Sequence, residues 1–361
     1  MPTPPSSVAY EVVRLASRAA LSESRAGRLR EAAEQIQEWQ EVYDTGVHHR
    51  TLPLLYTHVR SWAPDEVAET LRRYVHRRTM NVLFLSAEMA RIARRLDEAG
   101  VPFLTFKGPS LAEAYGGSAR RPFVDNDLLI SPSDFGVVTD LLVELGFSRR
   151  KRSPLRQAGY LQIHGEYTFG RSVGPMVSTV DVHTRLVPIG YPYHGPFEAL
   201  HARSRPLEIA GVEVPTFSWG DTLLALAVNA LKDQWNRLRL ASDLAETSRF
   251  VDDWPALVER ARQTRCLRAL RVGMLVSAET VDAVYPDSVL EEARRDVRAG
   301  RLARRVLDRL PLAHEEPVMT GSDRLRFTLM APDGVRGQAQ YLAYVGLRRI
   351  LDPLVTAEGA A

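Results

Sequence analysis

Across residues 8 to 99 apolar side chains recur at three- and four-residue spacing, as in Val82, Leu85, Met89, Ile92, Ala93 and Leu96. That is the stripe of an amphipathic helix, and the segment reads as helical almost throughout. Breaks fall near Pro53 and at Ala63-Pro64-Asp65, and Gly100 stands where a helix ends in the left-handed conformation. From Val101 the pattern changes. Val101 to Phe106 predicts a strand, Leu111 to Tyr115 a short helix before the Gly116-Gly117 turn, and Val124 to Ile130 a second strand. Ser131-Pro132-Ser133-Asp134 has the form of a helix start, with a serine cap, proline at the first position and an acid at the third. The helix it opens runs through Leu141, Leu142 and Leu145 to Gly146. Further strands are expected at Glu166 to Phe169 and Ser178 to Leu186, with a hairpin across Ala210-Gly211. Ser218-Trp219-Gly220-Asp221 repeats the capping pattern and opens a helical region reaching about residue 310. Residues 311 to 361 are poorly patterned apart from a last helix over Gln338 to Leu351, and the final Ala-Glu-Gly-Ala-Ala reads as frayed. The sum is an α+β fold, with a small mixed sheet over residues 101–216 between helical regions at 1–100 and 217–361.

Composition narrows the class. A chain of 361 residues has ample material for a core, and 45% hydrophobic residues is ordinary for a globular protein. No apolar stretch approaches the roughly 20 residues needed to span a bilayer, so no membrane partner is expected. The opening Met1-Pro-Thr-Pro-Pro-Ser-Ser lacks the basic and apolar regions of a secretory signal. The single cysteine, Cys266, excludes an internal disulfide framework and a thiolate zinc site, and reads as a packed thiol. Together these point to a cytoplasmic protein. A net charge of +3 is too small to declare a nucleic-acid binder. The local run Arg149-Arg150-Lys151-Arg152, with Arg156, reads either as a solvated loop or as a contact for an anionic substrate. Only Lys107, Lys151 and Lys232 are lysines, against 44 arginines. A lysine that escapes such a bias is a candidate for a role needing a compact point charge, and phosphate sites make that demand.

The chemistry concentrates in Val124-Asp125-Asn126-Asp127-Leu128-Leu129-Ile130. On a strand Asp125 and Asp127 share one face, with Val124, Asn126 and Leu128 on the other. Two adjacent carboxylates repel, and a divalent cation removes the conflict. Asp-x-Asp is also common in turns and helix caps, but here it opens an apolar run just after Lys107-Gly108-Pro109-Ser110. Asp181, in the strand-like Thr179-Val180-Asp181-Val182-His183, offers a third carboxylate. In-line displacement at phosphorus with two metal ions requires bridging carboxylates and a further ligand beside the attacking hydroxyl. Asp125 and Asp127 suit the first role, and Asp181 suits the second and could accept the hydroxyl proton. Gly108 would let backbone approach a phosphate, Ser110 would donate to it, and Lys107 would neutralise developing charge. His183 either orients Asp181 from the same face or is a satisfied core histidine.

Lys107-Gly108-x-x-Leu111, Tyr115, Arg121, Asp125-x-Asp127-Leu128-Leu129 and Asp181-Val182-His183-x-Arg185-Leu186 resemble the uncharacterised nucleotidyltransferase family of the DNA polymerase β superfamily. The likeness continues through Lys232, Trp235, Arg237, Leu238 and Asp243 and back to Leu52-Pro53-Leu54-Leu55-Tyr56, covering residues 35 to 310. It implies a nucleotidyltransferase palm with helical additions on both sides, the three aspartates as ligands of two Mg²⁺ ions, and an NTP, ATP by preference, as cosubstrate. Where the family carries an apolar residue this chain has Asn126, and where it carries histidines this chain has Asn229 and Asp233. Lys232 would reach the triphosphate, and Arg121 would either bind phosphate or simply position the strand. Asp243 would orient Lys232, Arg121 or a substrate group, or form a surface ion pair. On one unbroken helix Lys232 and Asp243 would share a face.

The expected activity moves an NMP from an NTP to a hydroxyl, in preference to an amine or phosphate, of a small-molecule or peptide acceptor, releasing pyrophosphate. Two alternatives stand beside it. One is a palm that binds nucleotide or scaffolds without turnover, which the retention of all three carboxylates disfavours. The other is a toxin-like enzyme acting on tRNA or protein, for which the arginine-rich run is the only support. Kinase signatures and a Walker-type glycine loop are absent from the sequence.

Overall fold

The computed structural model describes residues 7–149, 159–161, 163–193, 195–312, 321–330 and 332–356. Of the arginine-rich run, Arg149 falls among them, whereas Arg150, Lys151, Arg152 and Arg156 lie outside the described residues.

Helices Val8–Ala16, Glu23–Ala33, Trp39–His49 and Leu52–Val59 precede the long helix Asp65–Glu98. Pro53 falls inside the first turn of its helix, where a missing N–H costs nothing. The long helix ends as its sequence requires. Gly100 adopts φ 65°, its N–H reaches Asp97 O, and the Val101 N–H reaches Leu96 O, closing the two bonds of a Schellman cap.

Seven strands then build one mixed sheet: β1 (Phe103–Phe106), β2 (Asn126–Ile130), β3 (Ser148–Arg149), β4 (Glu166–Val173), β5 (Met176–His183), β6 (Arg205–Ile209) and β7 (Val212–Thr216), in the order β3-β4-β5-β2-β1-β7-β6. The two central pairings decide where the chemistry sits. β2 lies antiparallel to β1 and parallel to β5, so Asp127 stands opposite Phe106 on one side and opposite Asp181 on the other. The β6–β7 hairpin turns through Ala210 and Gly211, both at positive φ.

Alternation gives the sheet two distinct faces. Leu128, Ile130, Val180, Val182, Tyr167 and Phe169 form a core with Met89, Ile92 and Leu96 of the long helix and Val138 and Leu142 of helix Phe135–Glu144. The opposite face carries Leu104, Phe106 and Leu129 against Phe217. It also carries the polar side chains of the site. Asn126 sits on the helix side, where its Nδ2 donates to Leu85 O at 3.0 Å.

The C-terminal helices begin at Trp219–Lys232, whose N-cap Ser218 accepts from Asp221 N, and continue with Leu238–Ser248, Trp254–Gln263 and Leu267–Val281. Gly273 lets this layer close, because a Cβ there would lie 2.4 Å from Leu244 Cδ2 and 3.2 Å from the Trp235 ring. Cys266 is buried and its thiol is pushed up to about 12 by burial, so it packs as an apolar group. The N-terminal helices share a core with this layer through Leu238 and Leu310, and Arg14 and Arg18 donate to the Thr280 and Val281 carbonyls.

Four local expectations are corrected. Ser131 makes no capping bond; its Oγ pairs with Ser133 Oγ, and a 3₁₀ turn Pro132–Asp134 precedes the helix. The helix from Ser218 stops at Lys232, because Gln234 and Trp235 adopt φ 57° and 54°, so Lys232 and Asp243 belong to different helices. Val124 does not turn to the core side with Asn126; it is exposed and lines the cavity described below. Residues 321–330 and 334–356 form the helices Gly321–Met330 and Gly334–Thr356, more regular structure than their pattern suggests, and the last five residues, expected to fray, lie outside the described residues. Among the described residues no helix is long and apolar enough to cross a membrane.

Candidate active site

The polar face of four adjacent strands converges on one cavity of about 250 Å³. β1 ends at Phe106, and Lys107 follows at φ 56° and ψ −128°, a region few non-glycine residues occupy. That turn points the Lys107 ammonium back at β2, where Nζ lies 3.0 Å from Asp127 Oδ1. The neighbouring helix Gly108–Ala114 starts at once, so Gly108 also lines the cavity. A Cβ at Gly108 would meet the Phe123 ring and Asp125 O at ordinary contact distance, 3.5 Å, so the protein's own packing does not demand glycine there.

Asp127 is almost fully buried and holds two cationic or polar partners, Lys107 and His183 Nε2, both at 3.0 Å from Oδ1. Burial alone would raise its pKa, but the Lys107 charge and the His183 hydrogen bond outweigh that and hold the carboxyl at about 2. Lys107 shows the reciprocal balance: burial opposes its charge, Asp127 supports it, and the net shift is upward. Asp125, immediately before β2, and Asp181 on β5 are both pushed up, first by burial and then, in part, by the Asp127 charge. Thr168 Oγ1 donates to Asp181 Oδ1 at 2.6 Å and partly offsets the burial. The apo site therefore holds one stabilised carboxylate flanked by two whose ionisation is disfavoured.

The ligand atoms of Asp127, Asp181 and His183 lie within 4.8 Å of one another. His183 is buried, its edge meets Phe106, and its Nδ1 makes no hydrogen bond, with Glu166 Oε2 3.5 Å away. A hard divalent cation fits this set, because carboxylate oxygens are its preferred donors and its charge would relieve Asp125 and Asp181. Asp125 lines the same cavity but stands outside the tight trio.

Much of the rest of the lining comes from the helical regions. Lys232, Asn229 and Asp233 lie at the end of helix Trp219–Lys232, Arg239 follows on the next helix, and Arg50 arrives from the N-terminal region, at φ 57° just past helix Trp39–His49. Arg121 lines the cavity too, but its guanidinium is committed: Nε and Nη2 donate to the two oxygens of Asp243 at 2.7 and 2.8 Å. Tyr115 Oη adds a third bond to Asp243, at 2.9 Å, so this aspartate positions Arg121 from a buried pocket outside the cavity. Ser110 is fully buried, its Oγ 3.4 Å from Arg205 Nη2, and it does not line the cavity.

Of the residues singled out in the sequence, Lys107, Gly108, Arg121, Asp125, Asp127, Asp181, His183 and Lys232 meet at one cavity, while Ser110 and Asp243 stand behind it. Glu166, Arg50 and Arg239 also line it, and Thr168 supports it through its bond to Asp181. Glu166 and Thr168 stand opposite His183 and Asp181 on β4, and the alternation of that strand with β5 was the signal that could have exposed them. Arg50 and Arg239 carry no local signal in a chain with 44 arginines.

Carboxylates packed this closely around a small cavity, with a histidine among them, could hold a divalent metal. The model of the uncharacterised nucleotidyltransferase family matches residues 35–282, and the chain belongs to that family. The match ends short of the residue 310 expected from the motifs. Neither the curated proteins nor the solved structures contain a match.

Proposed function

We propose that the protein is a Mg²⁺-dependent enzyme that moves an NMP from an NTP, ATP by preference, to a hydroxyl of a small-molecule or peptide acceptor, releasing pyrophosphate. The observation that carries this reading is the register of β2 and β5, which sets Asp127 and Asp181 side by side with Asp125 at the mouth of the strand. Those three would hold the metal ions, which when bound supply Lewis-acid polarisation of the phosphoryl oxygens and lower the cost of ionising the acceptor hydroxyl.

The chain's own residues divide the remaining work. The His183 Nε2–H donates to Asp127 Oδ1 and fixes its orientation. Lys107 neutralises Asp127 and sits where it can also meet a phosphate oxygen. Asp181, with a raised pKa and a Thr168 hydrogen bond that holds one oxygen, leaves its other oxygen available to a proton from the acceptor. As the new oxygen–phosphorus bond forms, the bond to the β-phosphate oxygen breaks and pyrophosphate departs. A cytoplasmic setting, where NTP and Mg²⁺ are abundant, suits the reaction.

Incubating the full chain with Mg²⁺, labelled NTPs and a panel of hydroxylated acceptors should yield a nucleotidylated product and pyrophosphate. A double variant Asp125→Asn/Asp127→Asn should yield neither. Equal activity in that variant would refute the roles given to these carboxylates.

A further inference from the structure

The cavity is polarised in a way the catalytic carboxylates do not explain. Arg50, Lys232 and Arg239 line it, and among the described residues none of the three makes an ion pair or a side-chain hydrogen bond. Arg239 is the most telling. Its Nε is shut off from solvent with no hydrogen-bond partner, and burial followed by the charge of Arg121 pushes its pKa down to about 9. Arg50 is likewise pushed down, by burial and then by Arg237 and Arg121, with only Asp125 and Asp233 acting in its favour. Arg50 is exposed and Lys232 and Arg239 are half-buried, so the cost falls on Arg239, whose shut-off nitrogen would normally be paired. The fold nevertheless invests in the arrangement. Two consecutive non-glycine residues at positive φ, Gln234 and Trp235, break the helix between Lys232 and Arg239, and the left-handed Arg50 brings in a side chain from the N-terminal region.

We propose that Arg50, Lys232 and Arg239 form a polyphosphate-binding wall, built from both helical regions and facing the palm, that grips the β- and γ-phosphates of the NTP. This rests on the nucleotidyl-transfer reading for the identity of the ligand, while the binding itself does not. Three cations outside any ion pair match a chain of phosphates better than a single one, and guanidinium forks bind phosphate oxygens two at a time. The cavity, about 250 Å³, falls below the ~300–1,000 Å³ typical of whole-ligand pockets. It suits the phosphate chain and its metals, with the nucleoside at the mouth beside Phe123 and the exposed Val124. The wall thus discriminates NTP from NMP by charge rather than by base.

Calorimetric titration of the full chain with inorganic tripolyphosphate and orthophosphate, without divalent metal, tests this. The wild type should bind tripolyphosphate at least tenfold more tightly than orthophosphate. Arg50→Gln, Lys232→Gln and Arg239→Gln should each weaken tripolyphosphate at least tenfold, whereas Arg72→Gln, on an exposed ion pair with Glu69, should not. Arg239→Gln should also melt no lower than wild type, because it removes an unpaired cation; a structural arginine would show the reverse. Wild-type affinity in all three variants, or no preference for tripolyphosphate, overturns the wall. If the wall behaves as expected but no acceptor is ever nucleotidylated, the transfer reading fails and the wall stands.

Discussion

Asp127 and Asp181 face each other across one register position, yet their environments push them in opposite directions. The folded pKa of Asp127, about 2, lies below its unfolded value of 3.8, so its ionisation stabilises the fold above about pH 4 and that contribution is lost as pH falls toward 2. Asp125 and Asp181 have raised pKa values, so their ionisation is a penalty that grows as pH rises above the usual carboxylate range. Two outcomes follow at this scale. Asp127→Asn should lower the melting temperature of the metal-free protein, since Lys107 loses its counter-charge; Asp181→Asn should leave it unchanged or raise it. Both should cut pyrophosphate release by at least about 10²-fold, the scale of losing one charge partner in a transition state. In thermal melts with and without Mg²⁺, the gain from metal should be larger at pH 7 than at pH 4. A gain that is the same at both pH values would mean the carboxylates are not what the ion relieves.

The helix pair Trp219–Lys232 and Leu238–Ser248 sets the distance between the palm and the cations. Its second member is tied to the palm by the buried Arg121–Asp243 pair, with side chains 7% and 3% exposed. Asp243→Asn should cost roughly 3–5 kcal/mol in denaturant unfolding, because it strands a buried guanidinium. A cost below 1 kcal/mol would show that the pair is not a tie. Gly273→Ala should destabilise by about 1–3 kcal/mol, as the new methyl group must displace Trp235 or Leu244, and should raise KM for NTP by shifting the break that carries Lys232. An unchanged KM alongside lost stability would separate the break from substrate binding. The break was hidden in the sequence for a physical reason. Gln234 and Trp235 carry no turn signature, and they take left-handed backbone because the Trp235 ring, 1% exposed, is buried against helix Leu267–Val281. The Gly100 stop and the Ala210-Gly211 hairpin were legible because in each a glycine takes up positive φ, and each is local.

At the scale of the molecule, the alternation of β2 and β5 marks one face of each strand, and the residues on that face could be read before the strands were known to touch. That β2 and β5 are parallel neighbours is a long-range pairing no window of sequence contains. The same limit hid Arg50, which reaches the cavity only because the N-terminal helices share Leu238 and Leu310 with the C-terminal layer. The sheet region supplies Asp125, Asp127 and Asp181 together with Lys107 and Arg121, the helical regions add Arg50, Lys232 and Arg239, and the cavity exists where they meet. A structure of the full chain with a non-hydrolysable NTP and Mn²⁺, located by its anomalous signal, tests this most directly. The account predicts metal held by Asp127 and Asp181, with the phosphate chain running toward Lys232 and Arg239. Metal and nucleotide bound away from those carboxylates would contradict it.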